Sequence, residues 1–193
     1  MTATTVTIIG KGTMGQAIQG LVKAAGREAQ VLDSGATDVP VNGDVVVLAV
    51  PYPALTQVLA ERADQLAGRI VVDITNPVDF GTFDGLTVPA DGSAAAELAA
   101  QLPDSRVVKA FNTNFAATLA SGTVGPVPTT VLIAGDDEEA KNTLAELVRA
   151  AGLKAVDAGS LKRARELEAL GFLQITLAAR EQVSWSGGFA VVA

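Results

Sequence analysis

A loop that could bind a pyrophosphate stands near the start of the chain. Gly10, Gly12 and Gly15 have the spacing GxGxxG, and they directly follow a strand-like run of β-branched residues. In a strand–loop–helix unit the first glycine permits a tight turn, the second lets the backbone approach a pyrophosphate, and the third lets the helix pack closely on the strand. The helix N-terminus then offers free N–H groups to the anion. This context predicts a dinucleotide-binding loop, although a purely structural glycine turn is the alternative.

An acidic residue stands where such a loop requires a partner for the adenine ribose. Asp33 directly follows the next predicted strand. Its distance along the chain from the glycine loop is close to the spacing of about 20 residues that is typical of this position. A carboxylate there accepts hydrogen bonds from the ribose hydroxyls of NAD and repels the 2′-phosphate of NADP. The following segment, Ser34–Asp44, contains no Lys or Arg, but Lys11 could approach a 2′-phosphate from the glycine loop. The residues therefore favour NAD and leave NADP open.

The residue types that are missing limit the chemistry further. The chain has no cysteine and no histidine. This excludes disulfides, thiol nucleophiles, Cys/His zinc sites and triads of the Ser-His-Asp or Cys-His kind. We therefore expect no metal site, and we assign no catalytic side chain from the sequence. Hydride transfer between two cofactors needs the fewest acid–base groups on the protein, because the cofactors supply the chemistry.

Charge and hydropathy limit the partners. The 193 residues include 14 Lys and Arg against 21 Asp and Glu, a net charge of −7. Binding to nucleic acid needs a clustered basic surface, so we expect no nucleic-acid partner. No apolar stretch reaches the roughly 18 residues of a membrane span, and the N-terminus lacks the pattern of a signal peptide. We expect a soluble, cytoplasmic protein with no membrane contact, folded as a single domain over residues 1–193.

Short apolar runs alternate with longer amphipathic stretches, which is typical of a parallel sheet covered by crossover helices. Strands are predicted at Val6–Gly10, Ala29–Leu32, Val45–Val50, Ile70–Asp73, Val107–Phe111, Thr130–Ala134 and Lys154–Asp157. Helices are predicted at Met14–Ala25, Pro53–Leu66, Ala94–Leu102, Glu138–Ala151 and from about Leu161 to Val183. Ser34–Asp44 is too short for a crossover helix and should be an irregular loop or a single turn. The predicted fold class is α/β, a Rossmann-type doubly wound and mostly parallel sheet, with residues 158–193 as a C-terminal helical extension.

The long C-terminal helix predicts an oligomer. One apolar stripe would dock the helix on its own domain, and it comprises Ala164, Leu167, Leu170, Leu173 and Leu177. A second stripe comprises Phe172, Ile175, Ala179 and Val183. A helix that is apolar on two sides must be buried on two sides, so we expect the second stripe to meet its copy in a homodimer. The alternative is that Trp185 and the tail after it fold back over this stripe.

Motifs along nearly the whole chain resemble one known family. Beyond GKGTMG they are AVPY at 49–52, VDITNP at 72–77, SAAAE at 93–97, VKAFNT at 108–113 and DAGSL at 157–161. Their order and spacing are similar to those of the small dinucleotide-binding oxidoreductases related to F420-dependent NADP reductases. The nucleotide fold of that family also resembles the cytosolic part of STEAP-type ferric reductases.

The resemblance implies which residues hold the phosphates and the adenine ribose. Lys11, Gly12, Thr13 and Met14 would wrap the pyrophosphate. The pair Asp33-Ser34 stands where NADP-binding relatives have Ser-Arg, a departure from the family pattern that favours NAD.

The resemblance also implies which residues lie around the nicotinamide. The turn Val50-Pro51-Tyr52 would lie along the nicotinamide side, although the Tyr52 ring could instead pack at a helix start. Thr75-Asn76-Pro77 would lie beneath the nicotinamide ribose. Asn112 and Ala116 would lie at the carboxamide and the acceptor pocket. Relatives that reduce F420 can carry a histidine where this chain has Asn112.

Two functions fit these observations. The first is an oxidoreductase that passes hydride between NAD or NADP and a small-molecule redox acceptor, such as the deazaflavin F420 or a flavin. The second is a regulatory module that senses NAD or NADP without turnover, which the same shortage of acid–base residues allows. Turnover with a panel of acceptors would distinguish the two.

Overall fold

The computed structural model describes residues 4–33, 35 and 38–192. Its main sheet has seven strands in the order β2-β1-β3-β4-β5-β8-β9, and a two-stranded hairpin, β6-β7, lies apart from it. The strands are β1 (Val6–Ile9), β2 (Ala29–Leu32), β3 (Val45–Leu48), β4 (Ile70–Asp73), β5 (Arg106–Lys109), β6 (Thr123–Val124), β7 (Val127–Pro128), β8 (Thr130–Gly135) and β9 (Lys154–Gly159). All neighbours in the main sheet are parallel except β5 and β8. The predicted mostly parallel α/β fold is confirmed.

Five of the six helices in the described residues lie at or near their predicted places, whereas the short helix after β5 and the β6–β7 hairpin were not predicted. The helices are α1 (Thr13–Ala24), α2 (Leu55–Leu66), α3 (Ala94–Gln101), α4 (Ala116–Ser121), α5 (Glu138–Ala150) and α6 (Ala164–Ala179). Short 3₁₀ turns at Tyr52–Ala54 and Leu161–Arg163 lead into α2 and α6. The described part of the second crossover, Gly35 and 38–44, contains no helix, as expected from its length. No helix in the described ranges is long and apolar enough to cross a membrane.

The central strands are buried because they have helices on both faces. Every residue of β1, β3 and β4 is buried. On β1 the side chains of Val6 and Ile8 join one apolar cluster and that of Ile9 joins another, since alternate side chains point to opposite faces of a strand. Helices α1 and α5 cover the first face, and α2 and α3 cover the second.

The strand order reverses at β1, which places a ligand crevice between β1 and β3. The chain passes from β1 to β2 on one side and then returns to β3 on the other side of β1. In open α/β sheets ligands bind outside the carboxyl ends of the strands at such a point. The glycine loop after β1 and the turn after β3 therefore meet at the predicted cofactor site.

Two expectations for the C-terminal helix were wrong. Helix α6 ends at Ala179, so Val183 lies beyond it. The helix face that packs on the sheet includes buried Leu167, Glu168 and Gln174, whereas Leu173 of the expected docking stripe is 49% exposed. Polar contacts of Glu168 and Gln174 hold this face of the helix, and the spacing of apolar residues could not reveal them.

Candidate functional site

The glycine loop has the geometry that its spacing predicts. Gly10 has a φ of 118°, which an L side chain rarely adopts, and a Cβ there would overlap the carbonyl oxygen of Ala49 at the end of β3. A Cβ at Gly15 would overlap the carbonyl oxygen of Gly10. These two glycines are therefore required by the packing of β1, β3 and α1 against one another.

Gly12 differs from its two neighbours because it has room for a side chain. Nothing lies within 4 Å of a Cβ built on it, and its φ of −69° is accessible to any residue. Gly12 is the N-cap of α1, whose first turn receives no side-chain cap. The N–H groups there are available to an anion, so the space over Gly12 fits a pyrophosphate. The neighbouring predicted residues Lys11, Thr13 and Met14 belong to this same turn.

Asp33 and Lys11 meet at the outer end of the crevice. Lys11 Nζ lies 3.8 Å from Asp33 Oδ2, and both side chains are 59% exposed. The other carboxylate oxygen of Asp33 accepts a hydrogen bond from the N–H of Gly35 at 3.3 Å. Ser34, the other predicted ribose contact, lies outside the described residues. The carboxylate is thus held beside the glycine loop, where the sequence expected it.

A cavity of about 420 Å³ continues from the start of α1 to the ends of β4 and β5. Predicted site residues Thr13, Met14, Asn76, Asn112 and Ala116 line it. The remaining lining residues are Ile74, Phe80, Phe111, Asn114, Phe115, Ala117, Ile175 and Trp185. The wall is aromatic and carries no charged side chain among the described residues. Its volume and apolar character are those of a small-molecule site.

Two asparagines form a reciprocal pair on one wall of this cavity. Asn76 Nδ2 donates to the backbone oxygen of Asn112 at 2.8 Å, and Asn112 Nδ2 donates to Asn76 Oδ1 at 2.9 Å. Asn112 Nδ2 also donates to the carbonyl of Leu167 in α6 at 2.9 Å. Asn112 Oδ1 is buried and has no hydrogen-bond partner in the described part of the chain. The cavity wall at Asn112 therefore contains an unsatisfied amide acceptor, the type of group with which a carboxamide N–H pairs.

The other predicted residues frame the crevice after two strands, β3 and β4. Val50 lies beside Gly10, since its Cγ1 is 3.4 Å from the place that a Cβ on Gly10 would take, and Pro51 after it is exposed. Thr75 is 3% exposed and its Oγ1 has no partner among the residues described. Pro77 is buried, and its carbonyl accepts the N–H of Thr87 at 2.7 Å.

Tyr52 packs at a helix start and does not line the large cavity. Its hydroxyl donates to Glu97 Oε2 of α3 at 2.5 Å. Burial, together with this acidic partner, raises the pKa of Tyr52 to about 12. The residue lines a separate cavity of about 100 Å³ between α2 and α3. The expectation of a nicotinamide contact has no support in this geometry.

The aromatic lining was only partly visible in the sequence. Trp185 was expected as part of a tail that could fold back over the C-terminal helix, and the centroid of its ring lies 5.0 Å from that of Phe115. Phe80, 59% exposed, lies in a loop without helix or strand and had no pattern to reveal it. Phe111 has a φ of 62°, a left-handed conformation that costs about 1–3 kcal/mol in a non-glycine residue and is often found at functional sites. Asn114 and Phe115 could have been inferred from their proximity to Asn112.

Comparisons with known proteins identify the family. A family model described as NADP oxidoreductase coenzyme F420-dependent matches residues 33–77. The F420-dependent NADP reductase of Methanocaldococcus jannaschii is 34% identical over 161 residues, which cover 81% of this chain and 72% of the relative. The metalloreductase STEAP3 of Rattus norvegicus is 43% identical over 112 residues, 58% of this chain but only 22% of that protein.

A solved structure supports the fold over the whole chain. It is a protein of Arthrobacter sp. FB24 provisionally named an F420-dependent NADP reductase, and it superposes with a TM-score of 0.85 at 24% identity. The superposition covers 99% of this chain and 100% of that one. At this identity the likeness establishes the fold alone, and the sequence relatives establish the family. The chain belongs to the family of F420-dependent NADP reductases and is an NAD(P)-dependent oxidoreductase.

Proposed function

We propose that this protein transfers hydride between a nicotinamide dinucleotide and a planar redox acceptor of the deazaflavin F420 or flavin type. One observation carries the proposal: the space over Gly12 is open, and the aromatic cavity that begins at the neighbouring Thr13 and Met14 is also lined by Asn112, whose Oδ1 has no partner among the described residues. The first feature fits a pyrophosphate and the second fits a nicotinamide carboxamide. The relatives named F420-dependent NADP reductase support the same reaction.

The chain's own residues would bind and orient the two rings. The N-terminus of α1 would hold the pyrophosphate, and the Asn76–Asn112 pair would fix the carboxamide. The dinucleotide, when bound, supplies the hydride chemistry. The aromatic walls would exclude water from the space between the two rings. Hydride transfer between the rings requires no acid–base side chain of the protein.

The aromatic lining of the cavity supports a flat acceptor. Among the described residues four rings line the cavity, those of Phe80, Phe111, Phe115 and Trp185, and the centroids of the last two are 5.0 Å apart. Aromatic rings prefer offset-stacked or edge-to-face partners at such distances. This lining favours a conjugated tricyclic ring over a flexible aliphatic substrate.

We further propose that NAD is preferred over NADP. The Asp33 carboxylate stands beside the glycine loop and holds Lys11 in an ion pair. The cation that could bind a 2′-phosphate thus already has an anionic partner. The relatives are named for NADP, so this chain would differ from them in cofactor preference.

The direct test is turnover. The protein is incubated with NADH or NADPH and, in separate reactions, with F420, FMN, FAD and a ferric chelate, while nicotinamide absorbance is followed. We expect oxidation of the dinucleotide with F420 or a flavin. Saturable dinucleotide binding without oxidation by any acceptor would reject the enzyme and favour the sensing module.

We propose that residues 1–193 act as one unit, with 158–193 as an extension that completes the site. Leu167, Ile175 and Trp185 of the extension support this, since the first bonds to Asn112 and the others line the cavity. We also propose a homodimer through the outer face of α6, supported by exposed Leu173. Because NAD(P)H is a cytoplasmic reductant, we propose that the protein acts there.

A further inference from the structure

A lysine with no contact to solvent lies directly behind the candidate nicotinamide site. Lys109, at the end of β5, is 0% exposed. Its ammonium lies 2.8 Å from Asp73 Oδ2 of β4 and 2.8 Å from Glu168 Oε1 of α6, and both carboxylates are also fully buried. The cluster therefore joins two strands of the sheet to the C-terminal helix.

The third hydrogen bond of this ammonium goes to the site itself. Lys109 Nζ donates to the backbone oxygen of Thr75 at 2.6 Å. Asp73 Oδ1 accepts the N–H of the same residue, Thr75, at 2.8 Å. Thr75 is thus held on both sides of its backbone, and the next residue, Asn76, is one half of the asparagine pair. All three donors of the ammonium are used, as a buried charge requires.

Glu168 connects the cluster to a second element. Its Oε2 accepts the N–H of Ala94 at 2.9 Å, and its Oε1 accepts the N–H of Ala95 at 3.3 Å. These are orphan donors at the N-terminus of α3, where a carboxylate is favourable. Burial raises the pKa of Glu168, and the charge of Lys109 opposes this. The ion cluster therefore fixes how α6 sits against α3 and the sheet.

The position of α6 in turn decides the position of the asparagine pair. The carbonyl of Leu167, adjacent to Glu168, accepts the second N–H of the Asn112 amide. One turn further, a Cβ on Gly171 would overlap Asn76 Oδ1 and lie 2.9 Å from the backbone oxygen of Asn112. Because residue 171 is a glycine, the backbone of α6 packs directly against both asparagines with no side chain between them. A shift of the helix would therefore displace the two asparagines, which line the cavity.

We propose that Lys109 is a positioning residue for the nicotinamide. It holds the Thr75–Asn76 backbone through one hydrogen bond and α6 through its ion pair with Glu168, so that the asparagine pair keeps its place in the cavity wall. Lys109 is not among the residues that line the cavity, and it acts through the residues it holds. The inference rests on the proposed dinucleotide site.

The test compares two ligands that differ only in the nicotinamide. NADH and ADP-ribose share the pyrophosphate and the adenosine, which bind at the glycine loop and Asp33, but ADP-ribose lacks the ring. Dissociation constants of both are measured by calorimetry for the wild type and for Lys109→Met. If NADPH is the preferred dinucleotide, 2′-phospho-ADP-ribose replaces ADP-ribose.

We expect the wild type to bind NADH more tightly than ADP-ribose and Lys109→Met to lose that advantage. Affinity for ADP-ribose should stay within about twofold, and kcat should fall by up to about 100-fold, because an error of about 1 Å in alignment costs that much. An unchanged ratio of the two affinities in a folded variant would overturn the proposal and leave the proposed function intact. A wild type that binds neither ligand would overturn both.

A second buried lysine supplies the matched control. Lys141 of α5 pairs with Asp157 and Glu138 at 2.8 and 2.7 Å, and its side chain is 5% exposed. It does not line the cavity. Lys141→Met should lower the melting temperature without changing the affinity ratio. An equal change of the ratio in both variants would show that loss of a buried ion pair, and not positioning, is the cause.

Loss of Lys109 leaves two buried carboxylates without their cation, and such a change can prevent folding. Glu168→Gln provides the second variant, because it removes the carboxylate charge that pairs with Lys109 and keeps an oxygen that can accept the N–H of Ala94. It should lower the NADH affinity in the same direction and leave ADP-ribose binding unchanged. A folded Glu168→Gln protein with the wild-type ratio would also contradict the proposal.

Discussion

Lys11 and Asp33 pair their charges beside the glycine loop, with 3.8 Å between Lys11 Nζ and Asp33 Oδ2. Both side chains are more than half exposed, so the pair itself contributes little to the stability of the fold. Its consequence is for recognition, because the same two groups are nearest to the expected ribose. The Asp33 carboxylate can accept hydrogen bonds from the ribose hydroxyls, and its ion pair with Lys11 makes the ammonium less available to bind a 2′-phosphate.

This relationship predicts that the wild type binds NAD(H) more tightly than NADP(H). The Asp33→Ser variant should reverse the order, because it removes the repulsion of the 2′-phosphate and frees Lys11. A change of tenfold corresponds to about 1.4 kcal/mol. Dissociation constants for the four dinucleotide and protein combinations test this, with Asp38→Ser as a control on the same loop. A wild type that prefers NADP(H) would show that Lys11 outweighs the carboxylate.

The open space over Gly12 predicts a variant that folds and does not bind. Gly12→Val fits the protein, since no atom lies within 4 Å of the new Cβ, but the side chain would occupy the volume of the pyrophosphate. We expect the melting temperature to stay near that of the wild type and dinucleotide affinity to fall by more than about 100-fold, about 3 kcal/mol.

Gly20→Val is the matched control for Gly12→Val, because Gly20 lies on the same helix with equally open surroundings. It should bind normally. Gly15→Val, in contrast, should fail to fold, since its Cβ would overlap the backbone of Gly10. Near-normal affinity of a folded Gly12→Val protein would contradict the assignment of the phosphate loop.

The aromatic wall predicts that Trp185 contributes to acceptor binding. Trp185→Ala should raise the KM for the acceptor about fivefold, about 1 kcal/mol of lost stacking, and leave dinucleotide affinity unchanged. Phe189→Ala is the control, because Phe189 is a partly exposed aromatic of the same tail that does not line the cavity. Trp185 is the chain's single tryptophan, so quenching of its fluorescence also reports acceptor binding in the wild type. Equal effects of the two variants on the KM for the acceptor would contradict the assignment of Trp185 to the acceptor site.

The outer face of α6 predicts a homodimer. Leu173 is 49% exposed, and half-buried Phe172 borders a groove formed with Val88 and Pro89. Light scattering should give a dimer mass at concentrations well above micromolar, and Leu173→Glu should convert it to a monomer. Lys162→Glu, a charge change on an exposed residue just before the helix, should remain dimeric. A wild-type monomer at these concentrations would reject the dimer.

The tail covers part of the helix within the same chain. The N–H of Phe189 donates to Gln174 Oε1 at 2.9 Å, and the side chain of Gln174 donates to the carbonyl of Thr113 at 3.2 Å. The sequence left open whether the tail or a second copy covers α6. The tail occupies the side near Gln174, and Leu173 stays exposed for the proposed partner.

The sequence by itself determined the strands of the main sheet, most of the helices and the glycine loop. These features depend on local rules: β-branched runs form buried strands, and a glycine is needed where the backbone must turn or approach closely. Gly10 and Gly15 could be read from spacing because a side chain at either position would meet neighbouring backbone in any fold of this type. The absence of a crossover helix from the described part of Ser34–Asp44, Gly35 and 38–44, followed from the length of this segment alone.

The tertiary structure decided what the cavity contains and how α6 is held. Phe80 comes from a loop, Phe115 from the start of α4 and Trp185 from the tail, and only the fold brings these three rings together. The apolar periodicity of α6 predicted that Leu173 is buried and gave no sign that Glu168 is buried. A periodicity of apolar residues cannot reveal a buried charge, because the burial of a charge depends on a partner elsewhere in the chain. Lys109 compensates Glu168 across a separation of 59 residues in the chain. Contacts between residues so far apart in sequence exist only once the sheet and its last helix have assembled.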